Sequence, residues 1–309
     1  MKIAGKTLGK DTFNQLSLDI ARLPSRTKID IPIFVRRAPH DGPTLLLMAG
    51  LHGDEINGIE ILRTVLDKRC FDPVKGTVVC IPIINIYGFL NFSRAVPDGK
   101  DVNRSFPGSK RGSLASRVAY HLMNEVLPAV DIGIDFHTGG ASRSNYPQVR
   151  CVLNDQKNQM LAQAFNAPFT IDAPLIPKSL RHSAHARGKN ILVYEGGESL
   201  RFDAFAVKLG VLGVQKLMAQ LEMTKKAPAK KEANVVIRQR KWVRAKNAGL
   251  FHSRVKNGQT VAEGQELGFL TDPFAEFKTW LKAPMSGHVI GLNNNPVVNR
   301  GDALLHLGR

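Results

Sequence analysis

Features that would place a protein outside the cell or in a membrane are scarce in this sequence of 309 residues. Its three cysteines, Cys70, Cys80 and Cys151, are odd in number and form no C-x-x-C pair, so we expect reduced thiols. No run approaches the ~20 apolar residues of a membrane-spanning helix. Met1–Lys6 is not followed by the apolar segment of a signal peptide. These absences favour a cytoplasmic protein with no membrane partner.

Aromatic side chains are also few, at 7% of the residues, and they are not interleaved with the basic ones. Surfaces that stack nucleic-acid bases combine both types, so we expect no nucleic-acid partner in spite of the formal net charge of +17. A basic surface that attracts small anionic substrates is the interpretation that remains. Part of this charge lies in residues 224–234, whose Lys-, Ala- and Pro-rich composition predicts a basic linker between two domains.

Strand and helix patterns alternate through residues 1–223, which we predict to be the catalytic domain. Loosely alternating residues within 13–38 predict two antiparallel strands. Continuous apolar runs typical of buried strands lie at 45–49, 77–84, 130–140 and 190–197. Apolar residues at helical spacing predict helices at 56–68, 114–127, 156–165 and 200–223. We therefore expect an α/β fold with a mixed, mostly parallel central sheet and helices on both faces.

Short strand candidates separated by Gly, Asn and Asp turns fill residues 235–309, which predicts a small all-β, barrel-like capping domain. Lys282–Ile290 followed by Val298–Leu305 resembles half of a biotinyl/lipoyl-type barrel. Those carriers present a modified lysine in a tight hairpin, often flanked by Met, and Asp272–Lys278 has no such signature. We therefore expect a structural cap rather than a cofactor arm.

Polar side chains stand at or just beyond the ends of three predicted buried strands, where active sites of open α/β sheets collect. They are His52 with Glu55, then His137, then Glu195. Taken alone, the H-x-x-E spacing also fits a pair that only caps the next helix. A catalytic zinc site commonly takes three protein ligands and keeps one position for water. His52, Glu55 and His137 are therefore our candidate ligands of one Zn²⁺.

A zinc hydrolase also needs a carboxylate that takes a proton from water and a cation where charge develops on the carbonyl oxygen. We assign the first role to Glu195, which would then protonate the leaving amine. The long polar segment 85–112 holds Arg94, predicted to polarise the carbonyl, and Asn103 with Arg104, predicted to bind a substrate carboxylate. Asp135 either orients His137 or only bonds a loop; both readings stay open.

Together, His52–Glu55, Asp101–Gly108, Asp135–His137 and Glu195 resemble the succinylglutamate desuccinylase/aspartoacylase family, which shares its fold and zinc site with zinc carboxypeptidases. The resemblance spans roughly residues 27–222 and continues into the β segment. It implies one Zn²⁺ per chain and hydrolysis of an N-acyl amide to a free amine and a carboxylate. It also implies that the β domain narrows the entrance to small substrates.

The predicted function is a zinc-dependent amidohydrolase, a deacylase that cleaves a small anionic N-acyl amino acid or a similar carboxylated substrate. A metallocarboxypeptidase acting on peptides is the alternative, followed by a non-catalytic binding protein. The family often places another substrate-carboxylate contact near Arg181, His185 and Arg187, but their individual roles stay open. The identity of the acyl group is open too, and a homo-oligomer is compatible with the sequence.

Overall fold

The computed structural model describes residues 1–22, 25–68, 70–225, 228 and 234–309. Its strands before residue 224 are β1 Lys2–Ile3, β2 Lys6–Thr7, β3 Thr12–Arg22, β4 Lys28–Arg37, β5 His40–Ala49, β6 Lys75–Ile81, β7 Ile132–Gly139, β8 Arg143–Cys151, β9 Phe169–Asp172 and β10 Asn190–Glu198. Its helices are α1 Ile56–Asp67, α2 Ile86–Leu90, α3 Leu114–His121, α4 Gln156–Phe165, α5 Leu180–His185 and α6 Ala204–Gln220.

Shorter helical turns lie at Val102–Arg104 and Leu127–Ala129, and a π-helical turn at Leu122–Val126. The strands after residue 234 are β11 Val235–Ile237, β12 Arg240–Arg244, β13 Gly249–Ser253, β14 Thr260–Val261, β15 Glu266–Thr271, β16 Lys278–Lys282, β17 Gly287–Asn293, β18 Val297–Val298 and β19 Ala303–Gly308. No helix among the described residues is long and apolar enough to span a membrane.

A mixed sheet of 13 strands forms the centre of the molecule, with β12-β19-β17-β8-β10-β7-β5-β6-β4-β3 as its main order. β6, β5, β7 and β10 are parallel neighbours, and β7 is buried along its whole length. Side chains of β5 alternate between two apolar cores. Leu45 and Leu47 pack in the core shared with α1, α4 and α6, whereas Leu46 and Met48 pack in the core shared with α3. The predicted helices on both faces are confirmed.

The prediction that the sheet is mostly parallel is wrong. β3 and β4 form the predicted antiparallel pair, and β4 also runs antiparallel to β6. On the other side β8 is antiparallel to β10, and β17, β19 and β12 continue antiparallel beyond it. Apolar periodicity shows that a strand is buried but carries no information on its direction, so the sequence could not separate these edges from the parallel centre.

Strands from the C-terminal segment extend the same sheet. β17 pairs with β8, and β11 pairs with β9, while β13, β15, β16 and β18 form a separate four-stranded sheet. From residue 234 onward the structure contains strands and no helix. The barrel-like closure is not confirmed, because these strands divide between two sheets. Residues 226, 227 and 229–233 of the predicted linker lie outside the described residues, and the domain boundary stays a prediction.

A glycine sets how closely α1 approaches β7. A Cβ added to Gly58 would lie 2.7 Å from the Cβ of Phe136 and 2.9 Å from its carbonyl oxygen. The Cβ and the backbone carbonyl of Phe136 cannot both move away from such a Cβ at low cost, because protein interiors are close-packed. The residue before α1 is Glu55, and the residue after Phe136 is His137. The close approach of helix and strand therefore brings two predicted ligands together.

Replacing Gly58 with alanine should push α1 away from β7. We expect Gly58→Ala to lower the free energy of unfolding by about 1–3 kcal/mol, the usual cost of overpacking, and to weaken zinc binding. Urea denaturation and zinc titration measure the two effects. Gly9→Ala is the control, because its added Cβ would meet only Thr12 at 3.8 Å. Equal stability and zinc affinity of the two variants would contradict the close-packing argument.

Candidate active site

A cavity of about 650 Å³ opens at the carboxyl ends of the central parallel strands. Its wall includes every residue to which a site role was assigned from the sequence: His52, Glu55, Arg94, Asn103, Arg104, His137 and Glu195. These residues come from chain segments up to 143 positions apart, and the sheet gathers them because its parallel strands end at one edge. Their individual roles remain predictions.

Three side chains converge at the floor of the cavity. The Nδ1 atoms of His52 and His137 lie 3.2 Å apart. Glu55 places Oε1 2.8 Å from Nδ1 of His52 and Oε2 2.8 Å from Nδ1 of His137. One donor atom from each of the three lies within 4.8 Å of the others, so together they could hold a metal ion. All three are buried.

Glu55 does not act as a helix cap. It occupies the N-cap position of α1, yet its side chain makes no capping hydrogen bond there. Instead its Oε2 accepts a hydrogen bond from the backbone N–H of Thr138 at 3.1 Å and also faces His137, while its Oε1 faces His52. A carboxylate that only capped the helix would point at the first turn of α1. The capping alternative is therefore wrong.

Carboxylates fix the orientation of both rings. Asp135 Oδ2 lies 2.7 Å from Nε2 of His137, and Asp101 Oδ1 lies 3.2 Å from Nε2 of His52. With Nε2 of each ring carrying the proton, both Nδ1 lone pairs face the same point. Asp135 therefore orients His137, the first of the two readings left open. Asp101 was missed as an orienting group because it is 49 positions from His52 in the chain.

The donor set fits a zinc ion. Two lone pairs facing each other at 3.2 Å repel unless a cation or proton lies between them. His₂Glu is an established catalytic zinc set, and ligating histidines usually donate their other ring N–H to a carboxylate.

The charged groups of this site shift one another's pKa values. Burial lowers the pKa of His137, but the carboxylates of Asp135 and Glu55 outweigh burial and raise that pKa above its usual value. Burial would raise the pKa of Glu55, but the two imidazoles hold it below its usual range.

Glu195 stands beside this group. β10 and β7 are parallel neighbours, and Glu195 pairs with His137 in their register. Only 9% of the Glu195 surface is exposed, and this residue lines the cavity. Its Oε2 accepts a hydrogen bond from Asn145 Nδ2 at 2.7 Å, and its Oε1 lies 3.0 Å from Arg150 Nη1. A carboxylate is thus held next to the candidate metal ligands without belonging to them.

Arg94 contacts the metal-binding group directly. Its Nη1 lies 3.2 Å from His52 Nδ1 and 3.4 Å from Glu55 Oε1. Its Nε and Nη2 both donate to Asp101 Oδ2, at 3.1 and 2.9 Å. The same Asp101 therefore orients one predicted ligand and holds the guanidinium. This arrangement places a positive charge at the edge of the site, where a polarised carbonyl oxygen would need it.

Asn103 and Arg104 follow Asp101 on a short helical turn. Asn103 Oδ1 accepts a hydrogen bond from the backbone N–H of Leu180 at 2.9 Å, which connects this loop to the start of α5. Arg104 is exposed, and its Nη1 donates to the carbonyl oxygen of Asn103 at 2.7 Å. Arg104 lines the cavity and has no carboxylate partner among the described residues, so its guanidinium can receive an anion.

Arg181, His185 and Arg187, whose roles were left open, differ in their position relative to the cavity. Arg181 lines the cavity and donates from Nη2 to the carbonyl oxygen of Ala173 at 2.6 Å. Arg187 instead contacts Met123 and Asn124, and His185 is exposed and does not line the cavity. Of the three, only Arg181 is in place to contact a bound molecule.

The cavity wall is rich in arginine, and half of these arginines were not indicated by the sequence. Six arginines line it against four carboxylates; the arginines are Arg94, Arg104, Arg143, Arg150, Arg181 and Arg240. Arg240 and Trp242 come from β12, so the C-terminal segment contributes to the wall. Trp242 stacks on His306 of β19 with ring centroids 4.1 Å apart. Arg240 and Trp242 lie in no motif. The only sequence signal for them was the alternation of side chains along a strand whose place in the sheet could not be predicted.

Comparison with known proteins agrees with this geometry. The family model described as succinylglutamate desuccinylase/aspartoacylase catalytic domain matches residues 41–221, more than half of the chain. The chain belongs to the succinylglutamate desuccinylase/aspartoacylase family. The family membership predicted from the sequence motifs is thereby confirmed.

One named relative and two solved structures extend the comparison. Over 137 residues the chain is 35% identical to a protein of Halomonas elongata named N-alpha-acetyl-L-2,4-diaminobutyric acid deacetylase. That match covers 42% of this chain and 40% of the relative. Among family structures, a succinylglutamate desuccinylase/aspartoacylase from Rhodobacter sphaeroides is 25% identical with a TM-score of 0.86, covering 100% of this chain and 99% of that one. The ectoine utilization protein EutE (DoeB) from Ruegeria pomeroyi is 24% identical in sequence and shares the fold, with a TM-score of 0.86. That match covers 98% of this chain and 97% of that one.

Removing the charge that orients a ring should weaken metal binding. We expect Asp135→Asn, and to a smaller extent Asp101→Asn, to reduce zinc affinity by about 10- to 100-fold, as for partners of other metal-bound histidines. Competition with a chromophoric chelator measures the affinity. Asp98→Asn is the control, because Asp98 is exposed and pairs only with Lys100 in its own loop. Zinc affinities equal to that of the control would contradict the assignment.

Proposed function

We propose that this protein is a zinc-dependent deacylase that hydrolyses the amide bond of a small N-acyl amino acid or a similar carboxylated substrate. The observation that carries the proposal is the convergence of His52, Glu55 and His137 beside the carboxylate of Glu195. The arginine-rich lining of the cavity and the family membership support it. The lining favours a small anionic molecule, and the family membership favours hydrolysis of an amide.

Glu195 is the proposed proton carrier. A zinc ion held by His52, Glu55 and His137 would supply a Lewis acid that activates water near neutral pH. Glu195 takes a proton from the attacking water and passes it to the leaving nitrogen, so the amine departs neutral. Two of its lone-pair positions are occupied by Asn145 and Arg150, which leaves others for water.

Arginine side chains bind and polarise the proposed substrate. Arg104 binds a substrate carboxylate, with its planar guanidinium offering two parallel N–H groups. Asn103 holds the loop against α5, so Arg104 projects from a fixed position. Arg94 lies against Glu55 and His52 and stabilises the negative charge that develops on the carbonyl oxygen.

Cavity charge also bears on the amine part of the substrate. The Halomonas relative is named for N-alpha-acetyl-L-2,4-diaminobutyric acid, a molecule with a free ammonium group. In this chain six arginines face the cavity against four carboxylates, and two of those carboxylates, Glu55 and Asp135, are engaged with the histidines. An ammonium group would be repelled in this wall, since like charges destabilise one another at low effective dielectric. We therefore propose a substrate without a free ammonium.

Glu195→Gln should separate metal binding from turnover. We expect the variant to bind zinc as the wild type does and to lose about 10²- to 10⁴-fold in kcat, because the amide cannot accept the proton. Zinc content and amine release measure the two. Glu198→Gln is the control, because Glu198 lies on the same strand but bonds Asn294 outside the cavity. Full activity of Glu195→Gln would remove Glu195 from the mechanism.

A substrate panel tests the reaction class. We expect amine release from N-acetyl and N-succinyl amino acids, with zinc present and not after chelation. N-alpha-acetyl-2,4-diaminobutyrate should be cleaved at least about 10-fold less efficiently than N-acetyl-2-aminobutyrate, which has the same backbone without the ammonium. Faster cleavage of C-terminal dipeptides would favour the metallocarboxypeptidase alternative. A chain that holds no zinc and hydrolyses nothing after zinc addition would favour a binding protein.

A further inference from the structure

Both carboxylate oxygens of Glu195 are held by side chains of one neighbouring strand. Asn145 donates to Oε2 at 2.7 Å and Arg150 lies 3.0 Å from Oε1. Both belong to β8, which runs antiparallel to β10. The pairing shifts register between Glu195 and Gly197, and this irregularity places Asn145 opposite Gly197. A carboxylate gripped at both oxygens has a fixed rotamer rather than a range of them.

Arg150 is itself held in place. Its Nε donates to Gln148 Oε1 at 3.3 Å. Gln148 lies directly opposite Glu195 in the register and has no exposed surface. The amide group of Gln148 donates to Ile290 O at 2.9 Å and to Tyr146 O at 3.0 Å. Since Ile290 lies on β17, a continuous set of hydrogen bonds connects the C-terminal segment to Glu195.

We propose that Asn145 and Arg150 are positioning residues for the reaction, and that Gln148 anchors this clamp on Glu195 to the C-terminal strand β17. The proposal rests on the proposed role of Glu195 as proton carrier. It assigns a second task to the C-terminal segment besides lining the cavity with Arg240 and Trp242. The clamp holds Glu195 beside His137, its register partner on β7.

Positioning matters because proton transfer depends on distance. A general base must come within about 2.6–3.2 Å of the proton's parent atom, and a displacement of about 1 Å can cost about 10²-fold in rate. Without Asn145 and Arg150 the three-torsion side chain of Glu195 could rotate in the cavity. The expected loss is therefore in the chemical step and not in substrate binding.

Arg150 could instead bind substrate, because it lines the cavity together with Arg181 and Arg240. The two roles differ in kinetics. A substrate-binding arginine acts mainly on KM, whereas a positioning residue acts on kcat with KM little changed. Asn145 also lines the cavity, but it carries no charge, and its Nδ2 donates to Glu195. It therefore reports on positioning more directly than Arg150 does.

The first test is steady-state kinetics of zinc-loaded variants on the best substrate of the panel. We expect Asn145→Ala and Arg150→Gln to lower kcat by about 10- to 100-fold, with KM changed less than about 3-fold. Arg150→Lys should recover part of the loss, because a single contact to Oε1 can be remade by an ammonium. Ser144→Ala is the matched control on β8, since its hydroxyl bonds Leu292 and Asn257 outside the cavity.

The second test does not need activity. Crystal structures of the wild type and of Asn145→Ala should show the carboxylate of Glu195 displaced or in more than one rotamer in the variant only. An unchanged Glu195 in Asn145→Ala, or a loss confined to KM in both variants, would overturn the proposal. A wild type that holds zinc and hydrolyses no substrate would reject the proposed function, and the position of Glu195 would still decide the clamp. Thermal melts identify any variant that does not fold, and the other of Asn145→Ala and Arg150→Gln then carries both tests.

Discussion

The burial of Glu55 is the constraint on which the rest of the site depends. Its surface is 2% exposed, and a buried carboxylate is costly unless it is paired and hydrogen-bonded. Two imidazoles and the N–H of Thr138 surround it, and Asp101 and Asp135 in turn hold the far sides of the imidazoles. The imidazoles thus lie between the carboxylate of Glu55 and the outer carboxylates of Asp101 and Asp135. A divalent cation held by His52, Glu55 and His137 would fit this arrangement of charges.

Secondary structure delivers this set to one point. β5 ends just before His52, β7 carries His137, and β10 carries Glu195 opposite it. Parallel neighbours end at the same edge, so chain segments far apart in sequence meet there. Gly58 lets α1 approach β7 closely, which brings Glu55 to the same edge. The site is therefore a consequence of strand order together with one tight helix–strand contact.

The C-terminal segment is more than an attached unit. β17 continues the central sheet by pairing with β8, and β12 supplies Arg240 and Trp242 to the cavity wall. An amphipathic strand at the edge of a sheet can present one face to its own core and the other to a neighbouring cavity. The arginine-rich wall thus combines side chains from both sides of the predicted linker, which explains why no single motif encodes it.

The principal strands and helices of the catalytic segment, and the residues of the metal-binding group, could be predicted from the sequence. Apolar runs, helical spacing and the pairs His52/Glu55 and Asp135/His137 are local patterns, and local patterns can be read without a fold. The folded arrangement was needed to establish strand direction, the contact of Asp101 with His52, and the contacts of Asn145 and Arg150 with Glu195. Those depend on which strands become neighbours, and neighbours in space are set by long-range packing that no sequence window contains.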